Sequence, residues 1–478
     1  MLPVELQLLV LDHLYLLDSN NSSHSITRGR LVCHTYYAHL TPKLFHTVSV
    51  SSPQRYTRLM QQLYNMSLVK CLDLSAYTTM GSGWTDAKAM TVVHAESLSM
   101  MIRSCSRLEQ VLLGDGLGNV INDAVLNAIF SRPLLRGVDM MACSNPSFAQ
   151  SFSLTMGNLE PVAENFSSEP RAFNQALPTD LVAEDDSNAS VCSGLSRRNS
   201  LDCIPSSLDS DIEIRPVVAL PDLESLSLHM CSSLSESLVL SPLLSRLPTL
   251  THIDLSHTKI TTATLWNIQP VNLKELSLRY CRGLTCCNAG LPYVLARFTD
   301  LEYLNLAMNP NLGGSRFCET CLLHIMSHLS PCLTTLDISG SLELNDDHLA
   351  AMKNTQNLEK LSIAYCRNVS LNAILALLKR SPNLHYLNVT GVLSVETTLP
   401  SLMKLLECTT STVTEISDQV YNVLPGSVCG WTKSRLGRRC YLQRGNIATS
   451  AETTHSYKVQ IDSHTTLSPI IKYWSYAV

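Results

Sequence analysis

Leu250-Thr251-His252-Ile253-Asp254-Leu255, then Leu273-Lys274-Glu275-Leu276-Ser277-Leu278, then Leu301-Glu302-Tyr303-Leu304-Asn305-Leu306, set the organisation of the whole chain. The same pattern, apolar at its first, fourth and sixth places, also begins at Leu223, Leu333, Leu358 and Leu384. Successive copies from Leu223 are separated by steps of 27, 23, 28, 32, 25 and 26 residues. Weaker copies begin at Val69, Leu108, Leu135 and Val413. Alternate residues of a strand point to opposite faces, so the fourth and sixth places bury one side of a short strand. Between copies, as in 371–381 and 321–329, apolar residues recur three and four apart, which is helical spacing. Each unit therefore reads strand, turn, helix. No such unit buries its apolar side alone, so neighbours must stack into a curved solenoid with a parallel sheet.

Eight places after the first apolar residue of a copy stands Cys143, Cys231, Thr258, Cys281, Asn309, Ser341 or Cys366. Each is small and able to satisfy backbone groups where the chain leaves the strand. The pattern resembles the cysteine-containing class of leucine-rich repeat. That resemblance implies an α/β horseshoe with repeats over 51–144 and 217–424, its sheet lining the concave side. The interruption at 145–216 is rich in Ser, Asn and Pro and holds eleven acidic residues against three arginines between Glu160 and Glu213. Such a composition offers little apolar surface to offset ordering entropy, and a disordered loop is expected. Within it, Arg197-Arg198-x-Ser200 has the spacing a basophilic kinase reads; a phosphate on Ser200 would add about −1.5 to −2 charges to an acidic loop. Residues 425–478, basic at first (Lys433, Arg435, Arg438, Arg439, Arg444) and then β-prone, are expected to cap the last repeat.

The first fifty residues differ. Leu2-Pro3-x-Glu5-Leu6 continues to Val10 and Leu14, and after a polar loop come Leu31-Val32-Cys33, Tyr36-Tyr37 and Leu44-Phe45-x-x-Val48. This resembles the F-box, an all-α module whose apolar face an adaptor covers. The resemblance implies that Leu2, Pro3, Leu6, Val10, Leu14, Leu31, Val32, Leu44 and Phe45 meet a Skp-type adaptor and, through it, a cullin. It also implies that the chain is the substrate receptor of an SCF-type ubiquitin ligase. The same helices could instead serve as a plain cap on a leucine-rich-repeat scaffold that binds a partner without any ligase.

For the target, an unknown protein, strand alternation turns places three, five and seven of each repeat outward. Those places hold His252, Asp254, Glu275, Arg279, Tyr303, Asn305, Asp337, Lys360, Tyr386 and Asn388, a mixture of charge and tyrosine suited to a protein or peptide.

Other chemistries find little support. A net charge of −5 provides no general field for nucleic acid or an anionic membrane. No run approaches a membrane span, and the amphipathic start carries no basic leader, so cytoplasm or nucleus is the expected location. In that reducing setting the seventeen cysteines read as thiols rather than as a disulfide framework. Cys318-x-x-Cys321-x-x-His324-x-x-x-His328 offers four possible metal ligands, but a structural finger separates its ligand pairs by roughly a dozen residues. The segment reads as an ordinary repeat helix; no metal and no cofactor is assigned. The chain holds no Gly-rich phosphate loop, no G-x-S-x-G elbow and no H-E-x-x-H helix, so catalysis by the chain itself is not expected.

Overall fold

The computed structural model describes residues 3–21, 31–50, 52–77, 92–158, 220–284, 286–287, 290–309, 317–392, 398–409, 412–428, 430–436 and 438–444. Its strands lie side by side in chain order: β1 (Thr47–Ser49), β2 (Cys71–Leu74), β3 (Gln110–Leu113), β4 (Gly137–Asp139), β5 (Ser225–Ser227), β6 (His252–Asp254), β7 (Glu275–Ser277), β8 (Tyr303–Asn305), β9 (Thr335–Asp337), β10 (Lys360–Ser362), β11 (Tyr386–Asn388) and β12 (Val413–Ile416). All twelve pair in parallel. The architecture is a leucine-rich-repeat solenoid.

Register explains why the repeat pattern produces it. Leu72, Val111, Val138, Leu226, Ile253, Leu276, Leu304, Leu336, Leu361 and Leu387 pair directly from strand to strand, and every one is buried. Each such side chain contributes about 1.5–3 kcal/mol on leaving water. Slipping one strand by a residue would turn its apolar side outward, so the ladder fixes the register of every unit.

The turn after five of the strands is equally regular. There the last strand residue accepts a hydrogen bond from the amide two places on: Asp139 from Met141 at 3.1 Å, Asp254 from Ser256 at 2.8 Å, Asn305 from Ala307 at 3.0 Å, Asp337 from Ser339 at 3.0 Å and Asn388 from Thr390 at 3.0 Å. Three places past the strand, Ala142, Met230, His257, Tyr280, Gly340, Tyr365 and Gly391 take positive φ between 56° and 76°. For the non-glycine residues that conformation costs of order 1–3 kcal/mol each. The tie across the turn offsets it: His257 N–H donates to Arg279 O at 2.8 Å, Tyr280 N–H to Ala307 O at 2.9 Å and Tyr365 N–H to Thr390 O at 2.7 Å. The expected role of the small residue at the next position is also visible. The buried thiols of Cys231 and Cys281 each donate at 3.0 Å to a carbonyl of the preceding repeat, Met140 O and Leu255 O. Thr258 turns instead to Leu255 O of its own repeat, at 2.6 Å.

Two expected boundaries move. Residues 146–157 are not part of the insert: they form a helix whose N-cap, Asn145, accepts from Phe148 N–H at 2.7 Å. Phe148 and Phe152 are buried there, and Phe152 meets Phe130 and Phe148 edge-on at 5.9 Å and 5.6 Å between ring centroids. Similarly, Thr47–Ser49 belongs to the sheet rather than to the all-α module, because Val48 pairs with Leu72 and joins the repeat core. The remainder of the insert, with Ser200 and the expected disorder, lies outside the described residues.

At the other end, β13 (Ser427–Val428), β14 (Trp431–Leu436) and β15 (Arg439–Arg444) run antiparallel, and β15 pairs with β12. The sheet edge that the last repeat would leave open is thereby covered.

Candidate functional site

Among the described residues two helices, Val4–Asn21 and His34–Leu44, precede the first strand. They hold each other through Leu11 and Leu40, with Leu8, Tyr36 and Leu44 packed around them. Tyr36 Oη donates to Gln7 at 2.7 Å, and Asp12 meets His39 at 2.5 Å and also Lys43. Burial pushes the Asp12 carboxyl up, but Lys43 and His39 outweigh it and hold it below its ordinary value.

The internal seam uses only part of the apolar residue set. Leu6, Leu9, Val10 and Leu14 stay exposed on the first helix, and Leu31 and Val32, before the second, are 74% and 70% exposed. Pro3 is exposed as well. Of the nine residues expected to meet an adaptor, six thus present themselves to solvent. Leu44 packs into the helix pair and Phe45 against the repeat core, while Leu2 lies outside the described residues.

The sheet face away from the repeat core holds the residues expected to meet a target, in registered rows. One row runs His252, Glu275, Tyr303, Thr335, Lys360 and Tyr386; the next runs Asp254, Ser277, Asn305, Asp337, Ser362, Asn388 and Glu415. Neighbouring strands lie roughly 5 Å apart, so these polar groups reach one another before they reach anything else. Asn305 donates to Tyr303 Oη at 3.2 Å and to Asp337 at 3.4 Å, and His252 approaches Glu275 at 3.8 Å. Asp254, Glu275, Arg279, Tyr303, Asn305, Asp337 and Asn388 are buried, whereas His252, Lys360 and Tyr386 are half-buried. Burial raises the Asp337 carboxyl, against the pull of Ser339 and Arg279. Asp254, Asn305, Asp337 and Asn388 also hold the turns already described, so their first role is structural.

What remains open is the rim where the strands end. A hollow of about 170 Å³ lies between Arg279, Tyr280, Asp337, Tyr365, Glu415 and Arg439. A second, also about 170 Å³, is lined by His257, Tyr280, Cys281, Met308 and Phe317. Cofactors and drug-sized ligands fill roughly 300–1,000 Å³, so each hollow suits a single side chain of a protein partner. His257, Tyr280 and Tyr365 of this rim occupy positive-φ turn positions, which sequence periodicity does not reveal. His257 touches Tyr280 edge-on at 4.8 Å, and Arg279 lies 4.5 Å over the Tyr280 ring.

Burial, reinforced by His229 and Arg279, pushes His257 down to about 4. Unfolded, it takes up its proton near pH ~6.5. Its contribution is therefore complete above that value and is lost as the pH falls toward 4, because the unfolded chain binds the proton first. Acidification from about pH 7 to about pH 4.5 is expected to cost roughly 2 kcal/mol through this group after allowance for its partial exposure. His257→Asn, which tolerates positive φ, should flatten the acid limb of a thermal-midpoint profile; parallel profiles for parent and variant would refute the assignment.

The basic C-terminal run is largely engaged within the chain. Lys433 donates to Leu424 O at 2.8 Å, Arg435 pairs with Asp418, and Arg444 donates to Thr409 O at 3.2 Å. Arg439 grips Glu415 with two bonds of 2.8 Å and 2.5 Å and donates to Tyr386 Oη at 2.9 Å. Arg438 is exposed.

The histidines of the Cys318 segment turn to each other: His324 and His328 stack at 4.1 Å, with Tyr293 5.0 Å from His324. Cys318 and Cys321 meet Cys286 and Cys287 of the preceding repeat instead, and the four sulfurs lie within 4.8 Å of one another. The Cys321 amide, with Cys287 beside it, lowers the Cys318 thiol to about 7.

Among the described residues no helix is long and apolar enough to cross a membrane. No family model matches the chain, and no curated protein matches it. Solved structures that share part of its path include three from different sources. The complex of Rad7 and Elc1 from yeast aligns at a TM-score of 0.47 and 15% identity, over 87% of this chain and 88% of that one. The leucine-rich repeat-containing protein LegL7 from Legionella pneumophila aligns at 0.35 and 13%, over 79% and 94%. The TLR13–ssRNA13 complex aligns at 0.32 and 13%, over 72% and 41%. Likenesses this distant carry no argument, and the repeat assignment rests on the chain's own pattern and register.

Proposed function

We propose that this chain is the substrate-recognition subunit of an SCF-type E3 ubiquitin ligase. Its N-terminal helices dock on a Skp-type adaptor and so on a cullin, and the rim and face of its sheet hold a protein target. In this reading the chain supplies proximity and no chemistry of its own, since a tethered lysine meets the charged conjugating enzyme at a high effective concentration.

The observation that carries the proposal is the apolar set of Leu6, Leu9, Val10, Leu14, Leu31 and Val32, all exposed in the N-terminal module. A plain cap would bury such residues against the repeat it protects; here they are left in solvent, outside the Leu11–Leu40 seam, as residues awaiting a partner are. This favours the receptor over a scaffold without ligase function.

The test is co-purification of the full chain with a Skp-type adaptor. Leu31→Asp with Val32→Asp should weaken the complex at least about tenfold, as charge entering a desolvated contact does. Because both side chains are exposed, the thermal midpoint should stay near that of the parent. A well-folded parent that ignores the adaptor would replace the receptor reading with the scaffold.

A further inference from the structure

Cys286 and Cys287 sit in the connection between β7 and the helix Leu291–Ala296, while Cys318 caps the next repeat's helix, Glu319–Ser327, with Cys321 in its first turn. Two consecutive repeats thus bring two thiols each to one point. Cys287 Sγ lies 3.5 Å from Cys286 Sγ, 3.2 Å from Cys318 Sγ and 3.6 Å from Cys321 Sγ. The Cys318 amide donates to Cys286 Sγ at 3.3 Å. Four sulfurs around a zinc ion, each bonded at ~2.3 Å, form a tetrahedron with edges of about 3.8 Å. The observed separations lie close to that and well beyond the ~2.05 Å of a disulfide bond.

We propose that Cys286, Cys287, Cys318 and Cys321 form a four-thiolate zinc site that staples two adjacent repeats. Four sulfurs in tetrahedral reach select zinc or an iron–sulfur centre, and a single mononuclear position within 4.8 Å fits zinc. The amide of Cys318 and the N-terminal end of its helix both favour negative charge on sulfur. Binding releases the remaining thiol protons to solvent and leaves no open coordination position, so the role is structural rather than catalytic. Phe317, next to Cys318, lines the hollow shared with His257 and Tyr280, so the staple also fixes one wall of the rim. The inference does not depend on the ligase reading.

The full chain, purified without a metal-affinity tag in the presence of a phosphine reductant, should carry about one zinc per molecule by elemental analysis. Cys287→Ser with Cys318→Ser should abolish it, and Cys408→Ser, an exposed thiol elsewhere, should leave it intact. Cobalt added to the metal-free parent should produce the intense visible bands of a tetrahedral thiolate site. Should the double variant fail to fold, alkylation of the parent decides the matter: the four thiols should react at least tenfold more slowly with zinc than after chelation. Zinc retained by the folded double variant, a parent that carries no zinc and gives no cobalt bands, or alkylation of all four thiols at equal rates with and without zinc would each overturn the site.

Discussion

Glu415→Gln is expected to destabilise the C-terminal cap by about 3–5 kcal/mol, the usual consequence of removing one partner from a buried ion pair. The side chains of Glu415 and Arg439 are only 6% and 11% exposed, and the guanidinium holds the carboxylate with two bonds while also reaching Tyr386. Burial opposes the charge on Arg439, and Glu415 is what outweighs that opposition and holds its pKa above the ordinary value. With the carboxylate gone, the cost of burial stays. The pair joins β12 to β15, so the loss falls on the junction that closes the sheet edge. Trp431, buried in the same hairpin, reports it by fluorescence during urea unfolding, and hydrogen exchange of the β15 amides provides a second readout. Glu415→Leu combined with Arg439→Met should recover most of the loss, because neither charge then needs compensation. A single-variant effect below about 1 kcal/mol would show the pair to be solvated and the cap to be held by strand pairing alone.

Phe152→Ala should cost about 3–5 kcal/mol, the range for emptying a buried aromatic site. Its ring is packed edge-on against Phe130 and Phe148, and both neighbours would lose their partner. The result also locates the repeat boundary. Were residues 146–157 part of an unstructured insert, the substitution would be nearly neutral; a large loss in urea unfolding, together with newly exchanging amides in 146–157, places them in the core.

The candidate surfaces were unevenly legible. The N-terminal motif marked Leu6, Val10, Leu14, Leu31 and Val32, and these are exposed, but Leu44 and Phe45 serve internal packing. A linear motif does not separate a contact with a partner from a contact with the next helix, since both require an apolar residue. On the sheet, alternation correctly turned Asp254, Asn305 and Asp337 away from the core, yet they are buried among their own neighbours. Period two states the side of the sheet and says nothing about what stands on the adjacent strand.

The repeat and its strand-and-helix unit were legible from the residues alone, because a short-period apolar pattern is local and each copy restates it. The sequence did not show β1, although Phe45, Val48 and Val50 stand at the first, fourth and sixth places, because that stretch also fits the close of the N-terminal motif; nor did it show the helix 146–157, whose aromatic residues stand in a polar stretch resembling the insert beyond them. Which residues meet across repeats emerged only from the folded chain. Cys318 and Cys321 found thiols 31 or more residues earlier rather than the histidines of their own helix, and Arg439 found Glu415 24 residues away. Such pairings follow from stacking one unit on the next, a distance the spacing within a unit does not encode.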